Sequence, residues 1–123
     1  MSNEIALSMS LSGYKPTVMN APVGLSIAGF LASMAGNYYS EGTLLVATGA
    51  TLIPLGAVTQ PHWCFFQNLD QTNYLSIRNG SGGADLIELY PGEPALFPMF
   101  TTAIPYAIAH TAACVLQYLI FSL

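Results

Sequence analysis

Positive charge is almost missing from this chain: Lys15 and Arg78 are its only cations. A protein that grips phosphates needs several Lys or Arg to displace counterions, so this scarcity excludes nucleic acid as a partner. Charge of either sign is scarce as well, 7% of 123 residues, against roughly 25% in ordinary soluble domains. The surface must then be built from Ser, Thr, Asn, Gln, backbone and apolar side chains. Contiguous exposed apolar area marks contact sites. The composition therefore points to a protein that lives inside an assembly, with other copies of itself among its expected partners.

Cysteine is scarce too. Cys64 and Cys114 are the only two, too few for a disulfide framework, and they read as small apolar core residues. The opening Met1-Ser2-Asn3-Glu4 carries no basic residue, and Ser8, Ser10 and Ser12 interrupt the apolar positions that follow, so no secretory leader is expected. Only residues 103–123 approach the ~20 apolar residues of a spanning helix. Pro105, His110 and Gln117 break that run and no cation flanks it. A buried strand pair is expected there, with a small membrane protein kept as an alternative.

What is present is alternation. Ile5, Leu7, Met9 and Leu11 alternate with Ala6, Ser8, Ser10 and Ser12, the period of a half-buried strand. Gly13-Tyr14-Lys15-Pro16 breaks the run, and Pro16 and Pro22 bracket an extended or loop-like segment. Val23, Leu25 and Ile27 alternate again. A helix over residues 25–35 is weakened by Gly29 and by the lack of a charged face, so a strand is expected. Residues 43–48 favour a strand, and Pro54 demotes residues 52–56 to an edge strand or a loop.

Residues 63–97 organise the rest. They read as three short strands in a meander, with a polar corner at Asn68–Asn73, a Gly-rich connection at Asn79–Gly83 and a tight turn at Tyr90-Pro91-Gly92-Glu93. The last run, Cys114–Phe121, is β-branched and aromatic and suits the middle of a sheet. About nine strands with regular turn signals predict an all-β fold, an antiparallel β-sandwich of jelly-roll type. Residues 1–22 are expected as an extended N-terminal strand or arm, and residues 23–123 as the sandwich domain.

Chemistry-bearing residues are few. His62, Cys64, His110 and Cys114 match the ligand tally of structural zinc, but i, i+2 positions on a strand diverge, so no metal and no cofactor is expected. A Cys64–His110 nucleophile pair lacks the cationic surroundings that activate a thiol. Asp85 and Glu88 flank the Gly-rich connection without the alternating ligands of a calcium loop. Arg78 is expected to pair with Asp85, Glu88 or a neighbouring subunit. No enzymatic activity is expected.

Three segments carry a resemblance. Phe66-Gln67-Asn68-Leu69-Asp70-Gln71-Thr72-Asn73-Tyr74-Leu75-Ser76-Ile77, Leu89-Tyr90-Pro91-Gly92-Glu93-Pro94-Ala95-Leu96-Phe97 and residues 106–120 are similar to small structural proteins of tailed bacteriophages. In that group a strand, N-L-D-x-T-N-aromatic, strand, P-G-E, strand, T-A, final-strand order recurs. Pro94, Pro98 and His110 depart from it, and the first sixty or so residues lie outside it. The resemblance implies a virion component without catalytic residues: a capsid decoration or cement protein on the capsid surface, binding the major capsid protein or other virion proteins. The alternative is a tail, neck or head-fibre component with a receptor- or glycan-binding surface that uses Tyr38, Tyr39, Trp63, Tyr74 and Tyr90. The expected contact residues are Ile5, Leu7, Met9, Leu11, Tyr14, Tyr38, Tyr39 and Arg78.

Overall fold

The computed structural model describes residues 4–18, 20–34 and 36–123. Met1-Ser2-Asn3, part of the leader reading, and Met19 and Ala35, in the expected loop and the candidate helix, lie outside the described residues. The chain divides into two units, Met1–Met34 and Ala35–Leu123.

The first unit is a two-stranded antiparallel ribbon of β1 (Ile5–Gly13) and β2 (Val23–Ala32). Residues 14–22 connect the strands through a turn in which the Val18 amide donates to the Lys15 carbonyl at 3.0 Å. Residues 1–22 were expected as an N-terminal strand or arm, and residues 23–32 as part of the sandwich. Instead the two pair with each other, and the boundary falls after Met34 rather than at residue 22. Alternation predicts a strand but not its partner, which is why sequence reading separated them. The register pairs Leu7 with Phe30, Met9 with Ile27, Leu11 with Leu25 and Gly13 with Val23. Directly paired residues of an antiparallel ladder share a face. Between Ile27 and Phe30 the second strand carries two residues, Ala28 and Gly29, opposite one in the first. This bulge, with Gly29 at φ 73°, absorbs the extra residue and returns Phe30 to the face of Ile27.

The second unit is a sandwich of two four-stranded antiparallel sheets. Its strands are β3 (Tyr39–Val46), β4 (Thr51–Leu52), β5 (Pro61–Asn68), β6 (Leu75–Asn79), β7 (Asp85–Leu89), β8 (Pro94–Pro98), β9 (Pro105–Ala109) and β10 (Cys114–Ser122). One sheet runs β3-β10-β5-β8 and the other β4-β9-β6-β7. The pairs are nested: β3 with β10, β4 with β9, β5 with β8 and β6 with β7. The unit is thus one long hairpin rolled across two sheets, the jelly-roll arrangement expected from the sequence. Residues 63–97 are the inner half of that hairpin. They are not a three-stranded meander. They contain four strands, because the chain crosses between sheets at Asn68–Asn73 and crosses back at Tyr90–Glu93. Short polar turns predict a reversal of direction but not a change of sheet.

The core lies between the two sheets. Phe66, Leu75, Ile77, Leu116 and Ile120 are fully buried there, with Val46, Ile53, Met99 and the alanines Ala107 and Ala109 completing the packing. The segment that matched a spanning helix in length folds as β9 and β10 instead, and among the described residues no helix is long and apolar enough to cross a membrane.

Candidate functional site

Two places carry the properties a site requires: the polar corner where the chain changes sheets, and the apolar face of the ribbon.

The corner is built around Asn68, a fully buried polar residue at the end of β5. Its Nδ2 donates to the carbonyls of Asn73 at 2.9 Å and Leu89 at 3.0 Å, and its Oδ1 accepts from the Asp70 amide at 2.9 Å. Its backbone amide donates to the Glu93 carbonyl at 3.1 Å, and its own carbonyl accepts from the Gly92 amide at 2.9 Å. One side chain thus ties the outgoing crossover to the returning one. Asp70 Oδ2 accepts from the amides of Asn73 at 2.6 Å and Thr72 at 2.9 Å, an arrangement characteristic of Asx turns. These bonds, the Asn73 amide first, hold the Asp70 carboxyl below the usual carboxylate range. The Tyr90–Glu93 turn closes with the Glu93 amide on the Tyr90 carbonyl at 3.0 Å, Pro91 at its first central position and Gly92, φ 80°, at its second. The Glu93 carboxylate accepts from the Tyr90 amide at 2.8 Å. The conspicuous N-L-D-x-T-N and P-G-E runs therefore hold the two crossovers together.

On the neighbouring sheet, Ser76, Arg78, Asp85 and His110 form a chain of contacts. Arg78 Nε donates to Asp85 Oδ1 at 2.5 Å, the pairing expected for Arg78 within its own hairpin. Asp85 is held below the usual carboxylate range, first by that bond, with Arg78 charge, the Ser76 hydroxyl and His110 adding to it. Ser76 Oγ lies 2.7 Å from His110 Nε2, and Asp85 Oδ2 lies 4.0 Å from the same nitrogen. Serine, histidine and aspartate adjoin here without forming a catalytic triad. In a triad the carboxylate orients Nδ1 and leaves Nε2 free to take the serine proton. Here Asp85 approaches Nε2, the nitrogen that already meets Ser76, rather than Nδ1, and Ser76 is fully buried. Ser76 takes the strand face opposite Leu75 and Ile77, and the side chains of this network cover it. Tyr74 stacks on His110 with centroids 4.6 Å apart and leans on Tyr90 at 5.3 Å.

The zinc-like set is dispersed. His62 Nδ1 donates to the Met99 carbonyl at 2.8 Å, Cys64 donates to the Phe97 carbonyl at 3.1 Å, His110 meets Ser76, and Cys114 lies near the carbonyls of Asn73, Tyr74 and Ala112. Both thiols are free and buried. Cys64 pairs across with Ile120, six positions along β10 from Cys114, which separates the two by ~20 Å. No three His, Cys, Asp or Glu side chains converge among the described residues. Burial pushes the Cys64 thiol up to about 12, and burial followed by the Asp70 charge pushes Cys114 up as well. The thiolate is the nucleophile, so neither cysteine should react with iodoacetamide at pH 8 while the protein is folded. Both should react in urea. Rapid labelling of the native protein, read by intact mass, would contradict the packing described.

The contact residues expected from sequence fall in three places. Ile5, Leu7, Met9 and Leu11 share one face of the ribbon, followed by exposed Tyr14. Tyr38 and Tyr39 are exposed at the start of β3, where Tyr39 lies 6.3 Å from Phe121. Arg78 sits in the β6–β7 hairpin. Sequence reading missed the other half of the ribbon face. Val23, Leu25, Ile27, Phe30 and Ala32 of β2 share the face of the β1 apolar residues, making nine apolar positions. The opposite face carries Ala6, Ser8, Ser10, Ser12, Gly24, Ser26 and Leu31. Alternation in both strands was the available signal, but Gly29 shifts its phase and hides that Phe30 belongs with Ile27. Every residue from Val23 to Leu31 is exposed, and Leu11 and Leu25 expose 80% and 86% of their surface.

No family model matches the chain, and neither a curated protein nor a solved structure matches it.

The Arg78–Asp85 pair is at the surface, so Arg78→Ala should cost less than about 1 kcal/mol in urea unfolding and leave self-association unchanged. A change in oligomeric mass would instead place Arg78 between subunits. Asp70 and Asp85 both titrate lower in the folded state. Their contribution to stability is therefore complete above the unfolded carboxylate value, ~3.9, and is lost as pH falls through the lower folded values. Stability measured from pH 6 down to 2 should drop on that limb. Asp70→Asn and Asp85→Asn should each flatten it, and an unchanged slope in the double variant would count against these bonds.

Proposed function

We propose that this chain is a non-enzymatic structural component of a tailed-phage virion, a decoration or cement protein that joins capsid subunits on the shell surface. The observation that carries the reading is the ribbon face: nine apolar positions, no ionised side chain and high exposure towards the Leu11–Leu25 pair. A surface of that kind is expected in an assembly and unfavourable in a free monomer. Two further points support it. Double-sheet jelly rolls recur in viral capsid proteins, an argument from fold alone. The segments similar to phage structural proteins act here as structural ties, as a rigid adaptor requires. Stabilisation of the shell would follow by mass action, because contacts made only with the assembled capsid favour that state.

The test is co-sedimentation of the purified chain with empty capsids, followed by thermal disruption of the shells. Saturable binding at a fixed ratio to the capsid protein, together with later shell disruption, is expected. Failure to bind shells of the phage that encodes the chain overturns the proposal.

One observation favours a second reading, a receptor- or glycan-binding tail, neck or head-fibre component. Tyr74 stacks on His110 and leans on Tyr90 beside the Arg78–Asp85 pair, bringing aromatic faces and polar groups together as sugar recognition requires. Glycan-array binding that is lost in Tyr90→Ala, without capsid binding, would select it.

A further inference from the structure

The ribbon cannot be complete as it stands. A two-stranded hairpin is at best marginally stable in water, and three or more strands with a shared apolar face are needed for independent stability. In this chain β1 pairs only with β2 among the described residues, so each strand keeps one open edge. The apolar face is open along most of its length.

We infer that a second copy of the chain covers this face, the two ribbons packing face to face about a two-fold axis near the Leu11–Leu25 pair. The inference deepens the proposed structural role, since it names the occupant of the same contact surface.

Three properties select a second copy. The first is area. Leu11, Val23, Leu25, Ile27 and Phe30 expose 80%, 58%, 86%, 51% and 41% of their surfaces. At ~170 Å² for a fully exposed side chain of this size they present roughly 500 Å², and Leu7 and Met9 add to it. Two such faces bury roughly 1,200 Å², the lower bound of specific stable interfaces. The second is charge. No Asp, Glu, Lys or Arg occurs from Ile5 to Tyr14 or from Asn20 to Ser40, so two identical faces meet without like-charge repulsion. The face also lacks the polar groups by which a distinct partner would be told from others. A two-fold contact needs only that a patch be complementary to itself. The third is architecture. Two ribbons supply four strands in two layers ~10 Å apart, with Ser8, Ser10, Ser12 and Ser26 turned to water.

The test is sedimentation equilibrium of the full chain from 1 to 100 µM. Wild type should give twice the 13.1 kDa protomer mass. The double variant Leu11→Asp, Leu25→Asp should raise the dissociation constant at least 100-fold. Ser10→Asp with Ser26→Asp, on the opposite face, should leave it within about threefold. Leu11→Cys keeps a small apolar side chain near the axis and should be joined to its symmetry mate by a short bis-maleimide, which spans two facing layers where a disulfide, needing a Cα separation of ~4.4–6.8 Å, would not; this keeps the inference testable if the aspartates disrupt the ribbon. A wild-type monomer at 100 µM, a trimer, equal weakening by both double variants, or a dimer in which Leu11→Cys fails to cross-link overturns the inference. Capsid co-sedimentation separates the two proposals. A dimer that ignores capsids removes the decoration role and leaves this contact standing. A monomer that binds capsids does the reverse.

Discussion

Asn68→Ala is expected to lower stability by about 3–5 kcal/mol, an effect out of proportion to the few atoms removed. The carbonyls of Asn73 and Leu89 and the amide of Asp70 each lose their bond to this side chain. Asn68 is fully buried, so water does not readily replace it, and each unmet polar group costs ~1–3 kcal/mol. The loss is also topological. Asn73 leads into β6, Leu89 ends β7, and the Asn68 backbone is bonded to Gly92 and Glu93 on the way to β8. Removing the side chain loosens the two places where the chain changes sheets. Urea unfolding should show a lower midpoint with an unchanged slope, since the surface exposed on unfolding is the same. The melting temperature should fall by roughly 10–20 °C. Asn68→Asp retains the acceptor but loses both donated bonds and buries a charge, so it should be no milder. A loss below about 1 kcal/mol in Asn68→Ala would mean that the crossovers are held by their backbones alone.

This network marks how far the sequence could be read. Asn68, Asp70 and Asn73 were recognisable as turn formers because their side chains bond local backbone, a short-range property. The same holds for Pro91-Gly92, whose φ requirements are local. That Asn68 also bonds Leu89, twenty-one positions away, depends on the folding-back of β7, which no local pattern encodes. Strand alternation was legible in β1 and in the first half of β2. It failed in β6, where Leu75, Ser76 and Ile77 are all buried. Ser76 is covered by His110 and Asp85, brought to it by β9–β10 and β7. The ribbon shows the same limit. Its apolar positions were visible one strand at a time, but their union into one face depends on a pairing partner and on a bulge at Gly29.

Phe66→Ala should be the other most disruptive single change, and its neighbour gives the control. Phe65 and Phe66 are adjacent on β5, so their side chains point to opposite faces of the sheet. Phe66 is fully buried between the sheets, opposite Tyr118 and Ala95 in the ladder, with the Phe97 ring 5.9 Å away. Truncating it leaves a cavity that rigid flanking strands cannot close, at a cost of ~3–5 kcal/mol. Phe65 lies half-buried on the outer face, paired across with Leu119 and Leu96. Its loss removes cross-strand contacts without opening a void, and should cost ~1 kcal/mol or less. The pair also tests where the chain makes its contacts. If assembly runs through the ribbon alone, Phe65→Ala leaves the oligomeric mass and capsid binding as they were. Weakened binding in Phe65→Ala at undiminished stability would instead move the contact to the outer face of the β3-β10-β5-β8 sheet. Because Phe66 never reaches a surface, any effect of Phe66→Ala on binding must scale with its loss of folded protein.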